Sequence, residues 1–206
     1  MSEQTQNSQA FLANLQAEVQ AMVATAEKEF AALTSEQLNW KATPEKWSIA
    51  ECLEHLNIYS RYYNKSMKQR LSSATPQAAT EAVRFSWIDK MSLDGVNPAT
   101  MQTKKSSTLK RFNPSFSNTS PAVLSEFLQH QADLLQVLAE AEKYQLNKIK
   151  IPVEFFKLMR LTLGGCLQFM IFHQKRHLIQ AQNVLRSFYV GLIHRFEPEK
   201  HPYATH

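Results

Sequence analysis

LNWKATPEKWSIAECLEHLNIY, residues 38 to 59, separates one helix from the next and fixes where the second begins. After Leu38 and Trp40 the run KATPEKW breaks an apolar periodicity, because Pro44 has no N–H to give a helix interior. Ser48-Ile49-Ala50-Glu51 then supplies an S-x-x-E capping box, in which hydroxyl and carboxylate satisfy backbone donors at a helix start. Upstream, Phe11, Leu12, Leu15, Val19, Met22, Val23, Ala26, Phe30 and Leu33 recur at spacings of three and four, which predicts one long amphipathic helix from Ser8. Downstream, the second helix reads inward through Cys52, His55 or Leu56, Tyr59, Tyr62 or Tyr63 and Met67, and fades near Ser72-Ser73.

Residues 74 to 119 show no sustained period beyond an apolar patch at Phe85-Ser86-Trp87-Ile88 and Met91. So long a connection predicts a short helical turn near 85 to 92, then an irregular or strand-like basic stretch after Asn97-Pro98. Ser120-Pro121 reads as an N-cap followed by the favoured first-turn proline, and Leu124, Phe127, Leu128, Leu134, Leu135, Leu138 and Ala141 continue a third helix. Lys148, Ile149, Lys150 and Ile151 alternate as an extended segment before Pro152, and a fourth helical period runs from about Leu161 to Leu185. Four long helices without a repeat predict an all-α four-helix bundle with a long connection between helices two and three. The bundle is expected to fill residues 1–190 as one domain, leaving 191–206 as a C-terminal tail.

Composition agrees with that class. In 206 residues there are 4 Gly against 8 Pro, too few turn formers for a many-stranded sheet, and 44% hydrophobic residues, enough for one core. The polar start MSEQTQNSQ and the lack of an apolar run of about 18 residues predict a cytoplasmic chain without a membrane span. Cys52 and Cys166 stand far apart with no C-x-x-C, so both are expected to be reduced. The net charge of +5 concentrates in residues 61 to 112, with 10 Lys and Arg against 3 Asp and Glu. Those cations are not interleaved with stacking aromatics and no nucleic-acid motif is present, which argues against a nucleic-acid partner.

The fourth helix carries HQKRH, placing His173 and His177 one turn apart on one face, as bidentate metal binding from a helix requires. Phe169, Met170, Leu178 and Ala181 mark that face as core, so the two imidazoles need partners there. His55, on the inward stripe of helix two, is the natural third vertex. Three imidazoles leave a coordination position open, the arrangement of catalytic rather than structural zinc, and neutral imidazole also suits nickel. The residues alone leave open a second reading, of core-edge histidines satisfied by hydrogen bonds.

Trp47, Ser48, Ile49, Glu51, Leu53, His55 and Leu56 form a W-S-[IV]-x-[EQ]-x-[LI]-x-H-[LI] pattern, and His173, His177 and Gln180 form H-x-x-x-H-x-x-Q. Together they resemble the signature of the DinB-like (DinB/YfiT) superfamily of metalloenzymes, over roughly residues 10 to 187. The resemblance implies an up-down-down-up bundle, a homodimer, and a divalent metal, zinc or nickel, on His55, His173 and His177. Family members resemble thiol-dependent S-transferases that use low-molecular-weight thiols, or metal-dependent hydrolases. It therefore implies a metal-dependent enzyme acting on a small molecule, read here as thiol S-transferase-like, with a hydrolase or a non-catalytic ligand- or partner-binding bundle as alternatives.

Other residues carry weaker signals. Glu51 is spent on the capping box and Glu54 points around the helix from His55, so neither is a ready general base. Gln174 stands where H-E-x-x-H peptidases hold their catalytic Glu, which argues against that chemistry. Gln180 is a candidate to orient a ligand histidine; Tyr59 and Tyr62 could offer a phenol but fit core positions better. Lys175 and Arg176 are expected off the ligand face, solvated or salt-bridged. Gly164-Gly165, near the start of helix four, could permit close helix approach or loosen the first turn, and His194, His201 and His206 have no metal-binding spacing.

Overall fold

The computed structural model describes residues 7–78, 81–100, 112–114, 122–154 and 156–196. In chain order the elements are α1 (Ser8–Phe30), α2 (Ser35–Asn39), α3 (Ile49–Ser72), α4 (Trp87–Val96), a 3-10 turn (Pro98–Thr100), α5 (Ala122–Ala141), β1 (Lys150–Val153), β2 (Phe156–Thr162) and α6 (Leu163–Phe196). The chain is thus an all-helical bundle of four long helices, α1, α3, α5 and α6, with one small hairpin. No helix among the described residues is long and apolar enough to cross a membrane.

Helix starts follow local chemistry. The predicted box at Ser48 forms: Ser48 Oγ accepts from Glu51 N at 3.1 Å and Glu51 Oε2 from Ser48 N at 2.8 Å. Thr34 and Gln37 make a second capping box, so α1 ends at Phe30 rather than running to Leu33, and the short α2 intervenes. The apolar stripe of α1 is buried at Phe11, Leu12, Leu15, Val19, Met22, Ala26 and Phe30. On α3 both His55 and Leu56 are buried, because that helix packs against α5 and α6 together. Tyr63 rather than Tyr62 enters the core; the Tyr62 hydroxyl donates to Pro152 O at 3.3 Å.

Side-chain pairings set the helix directions. Asn57 with the carbonyl of Val123, Arg61 with Glu126, Asn64 with the carbonyl of His130 and Lys68 with Asp133 advance together along α3 and α5, so these two are parallel. His55 meets His177, Tyr59 meets His173 and Tyr63 meets Phe169, so α3 and α6 are antiparallel. Glu18 pairs with Lys175 and Glu29 with Gln182, which makes α1 and α6 parallel. The order is therefore up-down-down-up. Each of α1 and α3 packs on both α5 and α6.

Parallel neighbours cannot be joined by a short turn, and residues 73 to 121 make the return. The expected helical turn near 85 to 92 is α4. The basic stretch at 101–111 and the Ser120-Pro121 cap lie outside the described residues. Lys150 begins β1 as the alternation predicts, but Leu161 and Thr162 close β2, so α6 starts at Leu163 instead of near Leu161. β1 and β2 are antiparallel, with Ile151 opposite Leu161 and an irregularity between Pro152 and Val153. At the other end of α6 the helix continues past residue 190 to Phe196.

Asp89 ties α4 to this junction. Fully buried, its carboxylate accepts from Ser86 N (2.7 Å), Thr162 N (3.0 Å) and Thr162 Oγ1 (3.0 Å), while Thr162 Oγ1 accepts from Gly165 N (2.9 Å) and so caps α6. A buried carboxylate is tolerable only when its lone pairs are filled in this way. Gly165 has no side chain for a spatial reason: a Cβ there would fall onto the Asp89 carboxylate. Gly165→Ala is expected to cost about 2–5 kcal/mol in urea unfolding by displacing Asp89 from hydrogen bonds worth roughly 1.5–3 kcal/mol each. Gly95→Ala, in α4 with nothing within 4 Å of the new methyl, serves as control and should be neutral or slightly stabilising.

Candidate metal centre

His55 lies in the second turn of α3, and His173 and His177 lie in mid-α6, so the antiparallel α3–α6 pairing brings the three imidazoles to one point. One ring nitrogen from each lies within 4.8 Å of the other two. All three are buried, at 2%, 4% and 9% exposure. Aromatic rings surround them: Trp47 stacks on His177 with centroids 5.6 Å apart, Tyr59 lies 4.3 Å from His173, and Phe169 stacks on His173 at 5.7 Å.

The hydrogen bonds decide which nitrogens carry lone pairs. His55 Nδ1 is 2.8 Å from the carbonyl of Phe112, and a carbonyl only accepts, so Nδ1 bears the proton and Nε2 is bare. His177 Nδ1 donates in the same way to Gln180 Oε1 at 3.0 Å. His55 Nε2 and His173 Nε2 stand 3.1 Å apart. A proton on His173 could bridge to one neighbour only, leaving the third lone pair facing nitrogen, whereas a single cation serves all three. Tetrahedral zinc with Zn–N of about 2.0–2.1 Å separates ligand nitrogens by about 3.3–3.4 Å, close to this spacing. His173 Nδ1 has no hydrogen-bond partner among the described residues. The donor set therefore fits a divalent first-row ion, with Phe112 and Gln180 orienting two of its ligands.

Burial keeps the set in its ligating form. It pushes His55 down to about 4 and His177 to about 3, and lowers His173 well below the usual imidazole range, so all three are neutral at pH 7. Neighbouring imidazoles and Arg176 push His173 and His177 the same way.

Among the described residues no carboxylate joins the cluster. Glu51 Oε2 is held by the cap and Oε1 by Lys41 Nζ at 3.0 Å, and Glu54 forks onto Arg61 at 2.9 and 3.3 Å. Cys52 and Cys166 are free and fully buried, burial pushes both thiols up, and the antiparallel helices carry them away from the cluster in opposite directions. Lys175 is salt-bridged to Glu18 at 2.9 Å, as expected of it. Arg176 is not solvated: it is 9% exposed and keeps an interaction within the chain. His201, His206 and the side chain of His194 lie outside the described residues. The Phe112 carbonyl was unreadable in sequence, being a backbone group in an aperiodic segment, whereas Trp47 was signalled by its place before the capping box.

These features define a class: an up-down-down-up helical bundle with a buried triad of neutral imidazoles in the α3–α6 groove. The family model of the DinB superfamily matches residues 18–181, and the chain belongs to that superfamily. It is 24% identical over 156 residues to the uncharacterized protein YuaE of Bacillus subtilis (strain 168), covering 76% of this chain and 88% of that one. Its fold is shared with YfiT from Bacillus subtilis at a TM-score of 0.53 and 15% identity, over 86% of this chain and 87% of that one. YfiT is described as a probable metal-dependent hydrolase with an unusual four-helix bundle topology.

The imidazoles make stability depend on pH. Unfolded, they take up protons below about 6.5; folded, His55 stays neutral to about 4 and His177 to about 3. The unfolded state then binds more protons, so stability is full above pH 6.5 and falls as the pH drops toward 4, by up to about 1.4 kcal/mol per pH unit per histidine. Denaturant unfolding of chelator-treated protein at pH 7.5 and 5.0 should show this fall, and His177→Gln should make it shallower.

Proposed function

We propose that this chain is a metal-dependent enzyme that holds one divalent ion, zinc or nickel, on His55, His173 and His177 and activates a low-molecular-weight thiol for transfer to a small electrophile. The observation that carries the reading is the convergence of three neutral imidazoles, two with the distal nitrogen tied down so that the near one offers its lone pair. Bound there, such an ion supplies Lewis acidity and lowers the pKa of a thiol or water placed against it.

The chain's own groups do the rest. The Phe112 carbonyl and Gln180 hold ring orientation, which preorganises the ligands. Trp47, Tyr59 and Phe169 line the cluster and exclude water. With Glu51 and Glu54 committed elsewhere, no carboxylate among the described residues stands ready to take a proton from water. A thiol needs less assistance, since its own pKa is about 8.5. The description of YfiT supports a second reading, hydrolysis, in which water replaces the thiol.

Tag-free protein is expected to contain about one metal equivalent per chain by plasma mass spectrometry, lost in a folded His173→Ala variant. Protein that takes up neither zinc nor nickel at micromolar concentrations would sink the proposal. Small thiols should alter the visible spectrum of the cobalt-loaded protein; a spectrum indifferent to thiols, beside hydrolytic turnover, would favour the second reading. Gln180→Ala, which frees the His177 ring, should weaken metal binding about 10–100-fold in competition with a chromophoric chelator while leaving the fold intact.

A further inference from the structure

The β1–β2 hairpin presents apolar side chains to solvent that neither the bundle nor the metal centre uses. Its inner face is anchored: Ile151, Val153 and Leu161 are buried, the Tyr62 hydroxyl donates to Pro152 O at 3.3 Å, and Glu154 N donates to the Tyr63 hydroxyl at 3.4 Å. The outer face is open. Pro152 stands opposite Arg160 and Val153 opposite Phe156, so residues 157 to 159 have no counterpart on β1 and bulge from the ladder. Leu158, in the middle of the bulge, is 87% exposed, and Phe156 is 49% exposed. α4 packs against β2 and leaves Trp87 and Met91, one turn apart, exposed as well. A single exposed leucine is ordinary, but two large apolar side chains held out on an anchored hairpin, with an exposed tryptophan on the neighbouring element, call for an occupant.

Charge selects that occupant. Residues 148–160 carry Lys148, Lys150, Lys157 and Arg160 against Glu154 alone. Lys148, Lys150 and Arg160 are exposed and make no ion pair among the described residues; Lys150 Nζ donates to the neutral carbonyl of Asn147 at 3.2 Å. A second copy meeting this face across a two-fold axis would set cation against cation, and the bulge denies it a straight edge for strand pairing. An acidic peptide answers the charge but offers no apolar interior to Leu158, which projects instead of lining a groove. A bilayer containing anionic lipid answers both, with headgroups for the cations and acyl chains for the apolar tips. We propose that the β1–β2 hairpin is a membrane-docking element, which seats Phe156 and Leu158 in the surface of an anionic bilayer with Lys148, Lys150 and Arg160 at headgroup level. The attachment is peripheral and independent of the metal-site reading.

Co-sedimentation of the full-length protein with lipid vesicles tests it. The wild type should bind vesicles of equimolar phosphatidylcholine and phosphatidylglycerol at least about tenfold more tightly than vesicles of phosphatidylcholine alone. Leu158→Ser changes no charge and alters an exposed side chain, so it should keep the circular dichroism of the wild type and bind the anionic vesicles about tenfold more weakly. Lys148→Gln and Arg160→Gln should each weaken binding about fivefold. Wild type that ignores both kinds of vesicle overturns the inference. So does anionic binding that Leu158→Ser leaves intact, since that marks attraction to the net charge of the chain alone. Two further results overturn it by naming another occupant: a wild-type dimer in sedimentation velocity that Leu158→Ser dissociates, without vesicle binding, assigns the face to a second copy, and binding of polyglutamate in place of vesicles assigns it to an acidic peptide.

Discussion

Because α3 and α5 run side by side in the same direction, the chain must travel back along the bundle between them, and much of the remaining structure follows from that return. The parallel pair is set by a ladder of polar contacts: Asn57 and Asn64 donate to carbonyls of α5, while Arg61 and Lys68 pair with Glu126 and Asp133. Such contacts fix register, since a shift by one turn would strand buried amides without acceptors. The returning segment then does two jobs at opposite ends. Near its start α4 inserts Asp89 into the β2–α6 junction, where Thr162 and Gly165 receive it. Farther on, Phe112 offers its carbonyl to His55. The connection is therefore part of the site and not only a link.

The triad exists at the expense of the core around it. Three imidazoles occupy positions that leucine or phenylalanine could fill, and burial forces them neutral, which is the form a metal takes and the form that loses stability in acid. The same burial has the opposite consequence for Cys52 and Cys166. Their thiols are pushed up, which keeps them protonated and inert, so the soft ligands of the chain stay out of the chemistry although each lies on a ligand-bearing helix.

Most of this fold can be read from periodicity, because four amphipathic stripes and the box at Ser48 report directly on burial and capping. The triad was legible for the same reason: His173 and His177 share a face that the neighbouring Phe169 and Leu178 mark as core. What escaped the reading depends on partners distant in sequence. The box at Thr34 was present in the residues, but the apolar spacing continued through Leu33 and masked it. Thr162 caps α6 only because Asp89, seventy-three positions earlier, holds it in place. The charge of Arg176 suggests a solvated or salt-bridged side chain and gives no sign of its burial, which depends on what packs over α6. The carbonyl of Phe112 has no sequence signature, since every residue but its context offers the same group.

The donor set also bears on what distinguishes this chain among proteins of its fold. A bundle of this topology persists at 15% identity, so topology constrains packing far more than it constrains chemistry. Chemistry is set by what stands near the three histidines, and among the described residues that is aromatic rings, with both nearby carboxylates of α3 held by Lys41, Ser48 and Arg61. A ligand set containing a carboxylate would partly neutralise a divalent ion and could accept a proton from water. Neutral imidazoles do neither, so they hand the balancing of charge to whatever binds.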